Sequence, residues 1–323
     1  MSSVLKLSWD SDDQAHELDF VDMASKALDR VAKKLDKDEK KEFRIENRDL
    51  KTCLPKILWS REVSNLKTDS SSRGRLQRFI DRTEDSEVGS MIISGHLFPL
   101  YLLGDLEDYK EAIRHIVLGI HFLAVSKPKV LHRNISRSNL MFRRENGKVY
   151  GVLQDFSLAW IEGIHPKADK CVRPSTSVCL HLDGGQTKIP EHIERFDLES
   201  LVYVMYWEVQ LSNDGLLYAV KAEDDSQRWM KYNTKKLIYK HVTLNQIWHR
   251  FPNESYRPLL RSWLDPLSDL FAKGYSELSK HRDRWYFEHL GFPIPDDWEL
   301  PGFDYDTLGG NVTFEKIWEI MKN

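Results

Sequence analysis

The sequence predicts an α+β fold with a mainly helical C-terminal part. Short apolar strand candidates cluster toward the N-terminus, an Asn-Gly turn joins two apolar runs near the middle, and helical periodicity dominates the C-terminal half. At 323 residues the chain exceeds one ordinary domain of roughly 100–200 residues, so two packed units or one large two-part domain is expected. Its 41% hydrophobic content supports a sizeable core and excludes a wholly disordered chain. Forty-seven Lys and Arg stand against 50 Asp and Glu, a net charge of −3. No basic excess is left to drive nucleic-acid binding or adhesion to an acidic membrane. The longest apolar stretches, Phe98–Leu103 and Ile116–Val125, fall short of the roughly 20 residues that span a bilayer. The N-terminus lacks a signal-peptide core. Three cysteines (Cys53, Cys171, Cys179) make no disulfide framework, which points to a reducing compartment, cytoplasmic or nuclear.

Each element is justified by its local pattern. Val4–Trp9 is a short strand candidate carrying one charge, Lys6. Ser11, Asp12 and Asp13 offer an N-cap for a helix marked by Phe20, Ala24, Ala27, Leu28, Val31 and Leu35. Lys33–Glu42 is dense in mixed charge and reads as a solvated helix end and turn. Leu54–Trp59 reads as strand or extended loop, Asp69–Gly74 as a loop, and Met91–Ser94 as a strand. From Asp105 an amphipathic helix runs through Tyr109, Ile113, Ile116, Val117, Ile120 and Leu123. Leu140–Arg143 and Val149–Leu153 flank Asn146-Gly147, the strongest short-range hairpin signal, because a type I′ turn needs φ > 0 at both central residues. Leu158–Pro190 looks irregular. Phe196–Trp207 is apolar on nearly every side, so it is expected as a buried helix capped by Asp197. The last helix, Thr313–Met321, starts behind a Thr N-cap.

The hairpin brings chemistry together. With Asn146-Gly147 as its turn, Asn139 falls opposite Gln154 and beside Asp155, at the open end. An amide oxygen and a carboxylate there can share a hard cation such as Mg²⁺, which takes few protein ligands and fills its shell with water and phosphate. Just upstream, His132 to Asn139 has the H-R-x-x-x-x-x-N spacing of a kinase catalytic loop, and Asp155-Phe156-Ser157 stands where Asp-Phe-Gly would be. A zinc site among Cys171, Cys179, His181 and His192 is disfavoured, since no C-x₂₋₄-C pair is present.

On these residues the sequence resembles the fungal-type protein kinases, a branch of the eukaryotic protein-kinase superfamily. VLHRNISRSNLMF is similar to the catalytic loop, GVLQDFSLAW to the metal-binding strand and loop, FDLESLVYVMYW to the helix after the activation segment, and YDTLGGNVTFEKI to the closing motif. VLKLSW resembles the strand bearing the ATP-pairing lysine. The resemblance implies a two-lobed protein-kinase-like fold, with a reduced N-terminal lobe over 1–96 and a mainly helical C-terminal lobe over 97–323. It implies that Asn139 and Asp155 hold Mg²⁺ and that Lys6 contacts the α- and β-phosphates of ATP. Glu17 would orient Lys6, with Asp19 and Asp22 as rivals. Ile92–Leu97, including Ser94 and His96, would be the inter-lobe hinge at the adenine. Arg133 and Asp197 would brace the loop, and Pro190-Glu191 would close an activation segment in which Ser175, Thr176, Ser177 and Thr187 could be phosphorylated.

Two departures from the family pattern shape the functional expectation. Asn134 stands at the position of the catalytic aspartate, and an amide at neutral pH cannot take the substrate hydroxyl's proton. No G-x-G-x-x-G occurs, and only five residues precede Lys6, so the lid over the phosphates is expected to be absent or replaced. The expected function is ATP-dependent phosphoryl transfer to Ser/Thr of proteins, weakened at Asn134. The alternative is a pseudokinase that binds a protein partner without transferring phosphate. A small-molecule phosphotransferase is disfavoured by Arg133 and the FDLES helix.

Overall fold

The computed structural model describes residues 3–10, 17–45, 49–64, 88–164, 192–211, 256–288 and 302–322. Its first sheet is antiparallel, with β1 (Ser3–Asp10), β2 (Ile57–Ser64) and β3 (Val88–Gly95) in the order β1-β3-β2 and Lys6 opposite Ile92. Between β1 and β2 lie α1 (Glu17–Lys34), α2 (Lys37–Glu42) and a 3₁₀ turn, Leu50–Cys53. The proposed cap residues Ser11, Asp12 and Asp13 and the Asp69–Gly74 loop fall outside the described residues.

Past Gly95 the chain leaves the first sheet and joins a second. β4 (Phe98–Pro99) pairs with β6 (Leu140–Glu145), which pairs with β7 (Lys148–Leu153). The β6–β7 turn takes the predicted form, with φ of 51° at Asn146 and 75° at Gly147. A two-strand ladder, β5 (Val130–Leu131) with β8 (Trp160–Ile161), closes the loops on either side of the hairpin.

Helix α3 (Leu106–Ala124) is the central pillar. The Asp105 carboxylate accepts from the Asp108 amide at 2.9 Å and caps its start. Tyr109, Ala112, Ile113, Ile116 and Val117 are fully buried, in one core with Phe20, Ala24 and Leu28 of α1 and Leu140, Leu153 and Phe156 in and just beyond the hairpin. β7 packs against α3 through Gly151, where any Cβ would collide with the Ala112 carbonyl.

Helix α4 (Glu194–Leu211) is buried from Arg195 through Tyr206, as the nearly all-round apolarity of this stretch predicted. Helix α5 (Asp265–Glu288) comes after a helical turn, Arg257–Leu259, and a π-turn, Leu260–Leu264. Arg195 of α4 ties down the closing segment by donating to the Tyr305 carbonyl at 3.0 Å and the Asp306 carbonyl at 3.2 Å. Glu199 pairs with Arg195 at 3.3 Å and accepts from the hydroxyls of Tyr203 and Tyr275, both at 2.7 Å. Helix α6 (Phe314–Met321) starts behind the Thr313 cap.

Three local expectations are corrected. Lys33–Glu42 is not one helix end and turn: the chain breaks at Leu35, and α2 starts from a capping box in which Asp36 and Glu39 exchange bonds at 2.8 and 2.9 Å. Leu158–Pro190 contains β8, whose two residues find their partner only across the hairpin. Asp197 does not cap α4: it lies inside the first turn, and its carboxylate serves the 132–139 loop instead.

Candidate functional site

The register of the β6–β7 hairpin carries the site. Leu140 pairs with Leu153, and one step further the Gln154 amide donates to the Asn139 carbonyl at 2.9 Å. Asn139 and Asp155 thus lie side by side at the open end, as the turn position predicts.

The 132–139 loop reaches them from β5, shaped by Asp197. This carboxylate, 2% exposed, accepts from the main-chain amides of His132 at 2.9 Å and Arg133 at 3.0 Å, and contacts His192 Nε2 at 3.0 Å. Burial alone would push the Asp197 carboxyl up. The nearby imidazoles of His192 and His132, with the Arg133 N–H, hold it below the usual aspartate range. Arg133 takes a left-handed turn, φ 62°, which the carboxylate clamp sustains.

That turn sends Asn134 inward, where it is 1% exposed. Its Nδ2 donates to Asp155 Oδ2 at 2.9 Å, while its Oδ1 is buried with no hydrogen-bond partner among the described residues. The Asn139 Nδ2 donates to the Asn134 carbonyl at 2.9 Å, and Asn139 Oδ1 accepts from Ser138 Oγ at 3.3 Å. Asp155 also has a left-handed backbone, φ 66°, and its Oδ1 accepts from Ser157 Oγ at 2.7 Å. The structure therefore brings Asn134, Asn139 and Asp155 into one hydrogen-bonded cluster.

The surroundings fix this cluster. Phe156 is fully buried and meets the His132 ring at 4.6 Å. Burial lowers the His132 pKa, and the Asn134 amide donates to its Nδ1 at 3.3 Å, so the neutral ring carries its proton on Nε2. Glu17, at the start of α1 and 7% exposed, accepts from the Phe156 amide at 3.3 Å. It thereby couples α1 to the Asp155 loop, a contact that the sequence did not suggest.

The other sequence-assigned residues lie on the first sheet or at its exit. Lys6 is on β1, with its side chain outside the described residues. Ser94 is on β3, opposite Val4 and Ile57, and the His96 ring, in the connection to β4, lies tilted against Phe98 at 4.3 Å. Of the rivals to Glu17, Asp22 pairs with Lys26 at 2.5 Å. Pro190-Glu191 and the Ser and Thr residues of 175–187 lie outside the described residues.

Three residues escaped the sequence reading as parts of the site. Ser157 is more than a substitute for glycine, since its hydroxyl holds Asp155. His192 contacts Asp197. Glu208 of α4, 2% exposed, accepts from Arg137 Nε at 2.6 Å, and the Arg137 guanidinium covers the Tyr101 ring at 4.0 Å. Burial raises the Glu208 pKa against the pull of Arg137. The available signal was a set of charged residues, Asp197, Glu199 and Glu208 among them, on a largely apolar helix, where buried charges demand partners. Cys53 is buried, and burial pushes its thiol up to about 12, which leaves little thiolate at neutral pH.

Chemically, the cluster offers one carboxylate and the amide oxygen of Asn139, the hard donors that Mg²⁺ takes, so the donor set fits that ion in kind. No group of three or more His, Cys, Asp or Glu side chains able to hold a metal occurs among the described residues. No helix among them is long and apolar enough to cross a membrane.

No curated protein matches the chain. The family model for the fungal protein kinases matches residues 2–209, from the strand bearing Lys6 through nearly all of α4. This is well over half of the sequence and includes the whole hydrogen-bonded cluster. The chain belongs to the fungal protein kinase family.

Proposed function

We propose that the chain is a two-lobed protein-kinase-like phosphotransferase, with an N-terminal lobe over 1–96 and a helical lobe over 97–323. It binds ATP and passes phosphate to protein Ser/Thr hydroxyls only slowly. The observation that carries this reading is the bond from Asn134 Nδ2 to Asp155 Oδ2 at 2.9 Å. The position that should receive the substrate's proton holds a neutral amide whose donor end is already engaged. General-base help is worth about 10²–10⁴-fold, or about 3–5.5 kcal/mol of barrier. Phosphoryl transfer depends mainly on positioning and electrostatics, so the remaining frame supports residual turnover. In this reading Lys6 contacts the α- and β-phosphates, Glu17 orients Lys6, and Ser94 and His96 flank the adenine. Asp155 and Asn139 are the positions for Mg²⁺, which when bound neutralises phosphate charge.

A second reading, a pseudokinase that binds a protein partner without transfer, is favoured by the burial of Asn134. At 1% exposure, its free oxygen offers a substrate hydroxyl no open approach.

One experiment tests the proposal and separates the readings. The unfolding midpoint of the wild-type chain and of Lys6→Ala is measured with and without Mg-ATP, and phosphate transfer to a generic protein substrate is followed in parallel. ATP at about 100 times Kd adds about 2.7 kcal/mol, so the wild-type midpoint should rise and that of Lys6→Ala should not. Slow transfer supports the weak kinase, and binding without transfer supports the pseudokinase. No upshift at millimolar ATP would overturn the nucleotide-binding reading.

A further inference from the structure

We infer that the Asn134 side-chain amide holds the Asp155 carboxylate in place of a divalent cation, so that the resting, nucleotide-free site needs no metal. This rests on the kinase-family reading of the cluster, and its physical basis is the cluster's wiring. Asp155 Oδ2 accepts from Asn134 Nδ2 at 2.9 Å, and Asp155 Oδ1 accepts from Ser157 Oγ at 2.7 Å. Asn139 Oδ1, the other oxygen suited to a cation, accepts from Ser138 Oγ at 3.3 Å, while its Nδ2 is tied to the Asn134 carbonyl at 2.9 Å. The five residues form one continuous chain, Ser157–Asp155–Asn134–Asn139–Ser138, closed through the Asn134 backbone. Both oxygens that a cation would use already have protein donors.

The orientation of the Asn134 amide is fixed by chemistry. Turning it over would set its oxygen against a carboxylate oxygen at hydrogen-bond distance, so Nδ2 faces Asp155 and Oδ1 faces away. A charge-assisted hydrogen bond, here part-buried, is among the stronger neutral-to-charged contacts. It also points amide hydrogens at the carboxylate lone pairs that a cation would have to approach. The cluster carries one formal negative charge where an aspartate at 134 would make two. Mg²⁺ gives up its water reluctantly and is drawn to carboxylates, so a single engaged carboxylate holds it poorly. With aspartate at 134 the balance reverses. Two carboxylates about 3 Å apart in a part-buried site repel each other, and a cation between them relieves that repulsion.

The test is thermal unfolding of the whole chain without nucleotide, in EDTA and in millimolar MgCl₂, for wild type, Asn134→Asp and Asn134→Ala. Wild type should unfold at the same temperature in both. Asn134→Asp should unfold lower in EDTA, by roughly 2–4 °C or more, and recover in MgCl₂; a chain that folds only with the metal counts as the same result. Should Asn134→Asp fail to fold in either buffer, Asn134→Ala decides. It removes the Asn134 donor from Asp155 Oδ2 without adding charge, and should gain a Mg²⁺ upshift that wild type lacks. A wild-type upshift equal to those of the variants would overturn the inference, as would variants indifferent to metal. A wild-type upshift would leave the reading of a slow kinase standing, because it would show a metal-binding site whose chemistry is limited elsewhere.

Discussion

Replacing Asp197 by alanine removes the acceptor around which the 132–139 loop is built. The carboxylate takes the main-chain N–H of His132 at 2.9 Å and of Arg133 at 3.0 Å, and pairs with His192 at 3.0 Å, while itself 2% exposed. The buried His132 donor left without a partner costs about 1–3 kcal/mol, and the part-buried Arg133 donor adds less, for a total of about 2–4 kcal/mol. The left-handed turn at Arg133, φ 62°, also loses its support. Against a total stability of roughly 5–15 kcal/mol this is a large fraction. Urea unfolding of wild type, Asp197→Ala and Asp197→Asn measures it directly, as a lower midpoint at an unchanged slope. Asn keeps one oxygen acceptor and should recover about half of the loss. A loss below about 1 kcal/mol for Asp197→Ala would mean that this carboxylate does not organise the loop.

The same packing and charges set three further outcomes. Gly151→Ala drives a methyl group into the Ala112 carbonyl of α3, and should lower stability by about 3 kcal/mol or more, read by urea unfolding. Arg137→Ala leaves Glu208 buried without its cation; because the arginine is 40% exposed, the cost should be about 1–3 kcal/mol, and Glu208→Gln in the same chain should relieve much of it. Stability should fall with acid in two steps. His132, depressed by burial, stays neutral in the folded chain while the unfolded chain binds a proton below about 6.5. Its contribution is therefore full above that pH and declines as pH drops toward the folded value, at up to about 1.4 kcal/mol per pH unit. Asp197, held low by its imidazole neighbours, contributes above its unfolded value of 3.8 and loses that contribution as pH falls through its lower folded one. A flat stability profile between about pH 7 and 5.5 would contradict the His132 assignment.

The part of the site that was legible in the sequence is the part fixed by local chemistry. Asn146-Gly147 dictates a two-residue turn, the turn dictates the register, and the register sets Asn139 beside Asp155. The uniform apolarity of Phe196–Tyr206 likewise gives away a buried helix. Contacts between distant segments were not legible. That Asp197 clamps a loop 64 residues upstream instead of capping its own helix depends on how α4 docks. The same holds for Glu17 reaching the Phe156 amide across 139 residues and for Glu208 pairing with Arg137 across 71. The α2 start was legible and was overlooked: Asp36 and Glu39 spell a capping box inside a run that otherwise reads only as charge.

In the proposed reading, the amide at Asn134 limits the chemistry of the kinase frame. Single-turnover phosphate transfer from Mg-ATP to a protein substrate, compared between wild type and Asn134→Asp, puts this to the sharpest test. With Asp155, Asn139 and the Asp197 clamp in place, restoring the base should raise the rate by about 10²-fold or more. The gain should vanish when Asp155→Ala is added. An Asn134→Asp chain that folds, binds ATP and transfers no faster than wild type would show instead that the limit lies outside the base position.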